Sequence, residues 1–187
     1  MTAISPVPGR VCGSCTACCV VTDIRTPELV KPAGKPCDCL WRSPGYPSPE
    51  VGCSRKYNWP SICRDYFCGW RLMPQLGDEW RPDLCGVMLT TPGGETSVEM
   101  VAAGAIKIVL LERRAVHWVP LVEFVRDRAQ TDIPIYVTVA GKEGQHTYTG
   151  FLNYELKPEP EDVVDIKTVI ATLETAWDEI SGMMERP

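Results

Sequence analysis

All ten cysteines of this 187-residue chain lie between Cys12 and Cys85, and the long stretch after Cys85 contains none. Cysteines used to fill a core are independent packing choices, and such choices scatter along a chain. Their confinement to one region points to joint use. CGSCTACC supplies Cys12, Cys15, Cys18 and Cys19, and CDC supplies Cys37 and Cys39. A C-x9-C-x4-C run supplies Cys53, Cys63 and Cys68, and Cys85 stands alone in RPDLCG. The intervening KPAGKP and SPGYPSPE are rich in Pro and Gly, which make turns and resist regular structure. Such a region buries little apolar surface by itself and needs a metal or disulfides as its staple.

The spacing has a chemical reading. Two intervening residues let both sulfurs turn onto one ion at about 2.3 Å for zinc. Cys12 and Cys15 satisfy this, as do Cys15 and Cys18. Cys18 and Cys19 are adjacent, and neighbouring side chains tend to diverge. The expectation is that they serve different centres, or that one is not a ligand. Eight thiols suffice for two four-thiolate sites, and the sequence leaves their partition open. Soft thiolates suit zinc and iron–sulfur clusters alike. The bacterial ferredoxin run C-x2-C-x2-C-x3-C-P is matched only at its first three cysteines.

CGSCTACC, then KPCDCL, then C-x9-C-x4-C with Pro60 ahead of Cys63, resembles the YkgJ-like cysteine-cluster family, whose signature is CxxCxxCC. The resemblance covers about residues 12–70. It implies chelation of zinc or iron, with ligands at Cys12, Cys15, Cys18, Cys19, Cys37, Cys53, Cys63 and Cys68. Cys39 stands where the family often has histidine, which makes it a substitute ligand. Trp59-Pro60 replaces the family's usual Arg-Pro. The resemblance implies no particular reaction. Some larger proteins with the motif, flagellin lysine methylases among them, are enzymes, but no methyl-donor site is visible here. Cys85, outside the dense group, is a further candidate ligand or nucleophile, set against a buried apolar role at a strand start.

After Cys85 the pattern changes. Residues 86–91 read as a strand and 92–94 as a turn. Residues 98–112 lean towards strand, with a bend near Gly104. Val119, Val122, Val125 and Ala129 recur at helical spacing within 116–129, and Pro120 suits a first turn. Residues 133–140 alternate as a strand, 141–144 turn, and 145–153 return as a hairpin partner. A last helix over 165–184 places Ile166, Val169, Ile170, Leu173, Ala176, Trp177 and Ile180 on one face. The acidic run EPEDVVD is expected to start it, where carboxylates suit the dipole. The fold class is therefore α+β: an irregular, metal-stapled cysteine region over 1–85, then a small antiparallel sheet with two helices over 86–187, packed as one unit.

Composition narrows the function. Formal net charge is −5, with 16 Asp+Glu against 9 Lys+Arg over residues 86–187. That disfavours nucleic acid and leaves the acidic half as a surface for a protein partner. MTAISPVPGR lacks the start of a signal peptide, and no apolar stretch spans a bilayer, so the expected location is cytoplasmic with no membrane partner. A reducing cytosol favours metal over disulfides. His117 and His146 are distant in sequence from the thiols, and no P-loop, GxGxxG or Ser-His-Asp order appears. Arg55, Lys56, Arg64 and Arg71 lie near the cysteines and either offset thiolate charge or are ordinary surface charge. Trp41, Trp59, Trp70 and Trp80 either shield a cluster or belong to the core. Three readings stand: a zinc or iron–sulfur chelating protein, an iron–sulfur redox enzyme or electron-transfer protein, and a disulfide-stapled interaction domain.

Overall fold

The computed structural model describes residues 5–42, 51–55, 58–91, 104–131, 133–143, 145, 148–157, 159, 161 and 163–185. The cysteine region is built of short pieces. Helix α1 (Ala17–Val21) precedes a hairpin of β1 (Ile24–Thr26) and β2 (Leu29–Lys31). A second hairpin pairs β3 (Leu40–Arg42) with β4 (Val51–Cys53). Single-turn helices α2 (Ser61–Asp65), α3 (Gly69–Leu72) and α4 (Pro82–Cys85) follow. Elements this short carry no internal stability, so contacts elsewhere fix them.

The rest is a sheet with helices, and the whole is α+β. Strands β5 (Val87–Thr90), β6 (Ile106–Leu110), β7 (Ile135–Val139) and β8 (Gly150–Phe151) pair in that order. Helix α5 (Val119–Ala129) lies between β6 and β7 in the chain, α6 (Leu152–Leu156) follows β8, and α7 (Ile166–Met184) comes last. Helices α5 and α7 pack on each other and on β7.

The sheet departs from the expected antiparallel one. Its two outer pairs are antiparallel, but β6 and β7 run parallel, with Ile106 opposite Ile135 and Leu110 opposite Val139. A parallel pair needs a crossover, and α5 supplies it. Burial agrees: β6 buries Ile106, Ile108, Val109 and Leu110, a near-continuous run suited to a strand covered on both faces.

Other differences have local causes. The helix expected over 116–129 begins at Val119, because Arg113–His117 form a separate 3-10 turn. Among the described residues of the expected return strand, only Gly150 and Phe151 pair with β7. Asn153 then takes over, its side chain accepting from Ile135 N at 2.7 Å and donating to Ile133 O at 3.2 Å. The acidic run does not start the last helix. Asp165 alone joins, as N-cap, accepting from Thr168 N at 2.8 Å. Val169, Leu173 and Ile180 are buried and Ile170, Ala176 and Trp177 lean on the core, but Ile166 is exposed. The expected turn at 92–94, the start of the strand at 98–103 and His146 lie outside the described residues.

One core cluster takes in Trp70, Leu76, Trp80 and Cys85 together with the sheet and both long helices. Residues 70–85 therefore pack with the later half. Among the described residues, large buried apolar side chains begin at Trp70; before it only Lys31, Pro60 and Gly69 are buried. Among the described residues, the segment with nearly all the cysteines has no apolar core of its own. Among the described residues no helix is long and apolar enough to cross a membrane.

Candidate metal centre

Charged side chains tie the cysteine region down. The Arg10 guanidinium, just before CGSCTACC, donates to the carbonyls of Trp70, Met73 (2.9 Å) and Leu76 and lies over the Trp70 ring. It satisfies carbonyls at the end of α3, which an isolated one-turn helix leaves without partners. Lys31, at the end of β2, is 2 % exposed. Its ammonium donates to Val20 O (2.8 Å), Pro32 O (3.0 Å) and Lys35 O (3.1 Å). That post joins α1, which carries Cys18 and Cys19, to the loop leading to Cys37. Burial pulls the Lys31 pKa down, and the nearby thiols of Cys37 and Cys19 push it back up.

Two glycines seat the region on the core. Gly34 has φ +75°, and a Cβ there would stand 2.4 Å from Gly141 O and 2.5 Å from Lys142 C. Only glycine permits this contact with the loop after β7. A Cβ on Gly69 would stand 2.6 Å from Leu89 Cβ, so α3 approaches β5 closely. Beside it Tyr66 OH hydrogen-bonds Thr90 Oγ1 at 3.2 Å, and Cys68 is held between the two contacts.

All ten cysteines are free thiols. Cys15 N donates to Cys12 O at 2.9 Å, turning the first loop. Arg71 N donates to Cys68 O at 2.9 Å while its guanidinium reaches Cys12 Sγ at 3.9 Å. Cys37 N donates to Cys19 O at 2.9 Å, and Ser54 N to Cys39 O at 2.8 Å. Glu28 accepts from Ser61 N (2.6 Å) and Ser61 Oγ (3.0 Å), hooking the Cys63 helix to the first hairpin.

The thiols feel one another. The hydrogen bond between Cys18 and Cys19 raises Cys18, with burial and the thiols of Cys12 and Cys15 adding to the rise. The same bond lowers Cys19 to about 7, and Lys31 assists against the effect of burial. Burial pushes Cys15 up to about 11. Cys63 is raised by burial and then by Cys19, Cys37, Cys53 and Cys39. Cys39 is raised by burial and then by Cys37. Cys68 is raised by burial and by Cys12, with Arg71 opposing.

The other candidates are placed elsewhere. Cys85 is 5 % exposed in the core, its thiol donating to Val87 O at 3.2 Å, with burial raising it to about 11. It stands as a small core residue. His117 is paired with Glu174 at 3.2 Å. Trp70 and Trp80 belong to the core, whereas Trp41 and Trp59 are 43 % and 44 % exposed. Of the basic residues singled out, Arg71 contacts a thiol; Arg64 pairs with Asp65, and Lys56 lies outside the described residues. Sequence reasoning missed Arg10 and Lys31, because a burial of either cation leaves no local pattern.

Among the described residues, no three His, Cys, Asp or Glu side chains stand close enough to hold an ion as placed. The donor chemistry nonetheless fits a soft metal: nine free thiols outside the core, with Lys31 and Arg71 beside them. Arg71 Nε is buried without a hydrogen-bond partner, a donor that suits a neighbouring thiolate. No family model matches the chain, no curated protein matches it, and no solved structure matches it. Fold and site define a class: an α+β protein whose free thiols precede, and dock on, its core.

Proposed function

We propose that this chain is a metal-chelating protein that holds zinc or an iron–sulfur cluster through Cys12, Cys15, Cys18, Cys19, Cys37, Cys53, Cys63 and Cys68. One observation carries the reading. Among the described residues, the segment bearing these thiols buries one apolar side chain, Pro60, before Trp70, yet its loops bring free sulfurs within electrostatic reach of one another. A region without a core needs another source of order, and metal–thiolate bonds supply one. The resemblance to the YkgJ-like family supports the same ligand set. Rotation about χ1 moves each sulfur without shifting the backbone, which is how neighbouring thiols would close on an ion. A four-thiolate zinc shell is closed and structural, whereas a cluster would add electron transfer.

Each ligating thiol gives up its proton. Cys19, already lowered, does so more readily than its neighbour Cys18, and Lys31 and Arg71 offset the charge that develops. Anaerobic purification with metal analysis and a visible spectrum tests the proposal. Stoichiometric zinc in a colourless protein, or iron with sulfide in a brown one, is the expected result. A folded, metal-free protein whose stability is indifferent to added zinc or iron would refute it.

A further inference from the structure

We propose that the cavity between the N-terminal segment and the start of the core binds one small organic carboxylate. Arg10 and Val11 line one side. Trp70 of α3, Asp78, Arg81 just before α4, and Leu84 within it line the other. The volume is about 240 Å³. Pockets for drug-sized ligands run to about 300–1,000 Å³, so this one suits a smaller molecule and excludes a folded peptide or a nucleotide. The wall on the N-terminal side is held in place: Val7 N donates to Arg71 O at 2.7 Å, and Arg10 reaches the carbonyls at the end of α3. The site lies ahead of the cysteines and does not rest on chelation.

Three features set its chemistry. The first is an indole N–H. Trp70 is 6 % exposed, and its Nε1 is buried with no hydrogen-bond partner among the described residues. A buried indole N–H ordinarily has an acceptor. The second is charge. The Arg10 side chain is 11 % exposed, and its Nη atoms meet the carbonyls of Trp70, Met73 and Leu76. Neutral carbonyls satisfy those N–H groups but leave the positive charge in place. Asp78, 3.9 Å from Arg10 Nε, is almost fully exposed, so water screens it. Arg81 adds a second guanidinium. Asp83 accepts from its Nε at 2.7 Å and its Nη2 at 3.0 Å, and Nη1 is outside that pairing. Of the charged side chains lining the cavity, two are therefore cationic and one anionic, in a chain of formal net charge −5. The third feature is the rim, where Val11 and Leu84 are exposed. An acceptor, a negative charge and an apolar body together describe a carboxylate on a small hydrocarbon or aromatic frame. Guanidinium groups match that acceptor in shape as well as charge.

Arg81 also links the cavity to the first cysteine loop. Its Nη2 reaches Ser14 Oγ at 3.5 Å, Ser14 Oγ donates to Asp83 at 3.3 Å, and a Cβ on Gly13 would lie 3.9 Å from Arg81 Nη1. A carboxylate drawn to Arg81 bridges the N-terminal segment to the core and steadies the turn between Cys12 and Cys15.

The test uses the full chain, purified anaerobically with its metal content unaltered. Benzoate and butyrate are the probes, with uncharged benzamide and inorganic phosphate beside them. Indole N–H signals are followed by NMR, and Trp70→Phe identifies the Trp70 signal. At least one of the two acids should shift that signal saturably, with a midpoint of about 1 mM or below. Bound acid should also slow hydrogen exchange over residues 9–15. Arg81→Gln should weaken binding about tenfold or more. Because that variant can disturb the first loop, Leu84→Ala, at an exposed position, is measured as well and should weaken binding severalfold. No saturable shift with either acid up to about 20 mM would overturn the site. So would unchanged binding in both variants. Benzamide or phosphate binding as tightly as the acids would overturn the carboxylate assignment. Metal analysis of the same samples judges chelation separately, since the Trp70 signal reports on the cavity alone.

Discussion

Replacing Gly34 by alanine measures how firmly the cysteine region is docked on the sheet. Gly34 sits at φ +75°, where an L side chain costs about 1–2 kcal/mol. Its new Cβ would stand 2.4 Å from Gly141 O and 2.8 Å from Lys142 O. Both are backbone atoms, so one loop must move, and forced overpacking adds about 1–3 kcal/mol. The nearby Lys35–Glu143 pair, 3.4 Å apart and partly exposed, adds little when lost. The expected loss is therefore about 2–5 kcal/mol, limited by whatever free energy the loop gains on docking. Gly104 is the control: φ is +86°, but nothing lies within 4 Å of its Cβ position. Gly104→Ala should cost only the backbone strain, about 1–2 kcal/mol. Urea unfolding of both variants, with hydrogen exchange over Lys31–Cys37, separates the two terms. Gly34→Ala should lose more stability than Gly104→Ala and should expose the Cys37 loop to exchange. Equal losses, with protection of that loop unchanged, would refute the docking contact.

Lys31→Met strands three carbonyls around an apolar chain and should cost about 3 kcal/mol in urea unfolding, with zinc retention falling at the Cys19 and Cys37 side; a neutral substitution would remove Lys31 as the post. Cys85→Ala removes one buried sulfur and should cost about 1 kcal/mol while metal content stays as in the wild type, so loss of metal would restore Cys85 as a ligand. Asp165 has its carboxyl pKa lowered by the hydrogen bond from Thr168 N, so its folded pKa lies below the unfolded one. Its contribution is present above the ordinary carboxylate range and fades as pH falls through the folded pKa. The stability gap between wild type and Asp165→Ala should therefore narrow in acid, and a gap that widens there would refute the cap.

The later half was legible where periodicity had room to act. Val119, Val122, Val125 and Ala129 span several helical turns, and Ile135, Val137 and Val139 alternate with Tyr136 and Thr138. The parallel pairing was missed although its sign was present: a helix between two strands is the connection a parallel pair requires. Helix α6 was missed because five residues after a strand show no period. In the cysteine region, elements of three to five residues are fixed by Arg10, Lys31 and Glu28 reaching across the chain, and such contacts leave no trace in local sequence. The cysteine grouping was legible as a candidate ligand set because cysteine is scarce and its spacing carries chemical meaning, while among the described residues no three of these side chains converge as placed.

Two glycine contacts anchor the cysteine region to the core. Gly69, next to Cys68, presses α3 onto Leu89 of β5, so the Cys68 side is continuous with the sheet. Gly34, three residues before Cys37, rests on the loop after β7. The Cys37 loop and the Cys68 helix are therefore each anchored to the core by one close backbone approach. A region with no core of its own cannot orient its loops by hydrophobic contact, because there is too little apolar surface to bury. Directional contacts must do it instead, and they are what this segment contains: carbonyls gathered by Lys31 and Arg10, a carboxylate holding Ser61, and backbone bonds between cysteines. Contacts of this kind set positions more sharply than they add stability. Among the described residues, then, directional contacts rather than apolar burial position the loops that carry the cysteines.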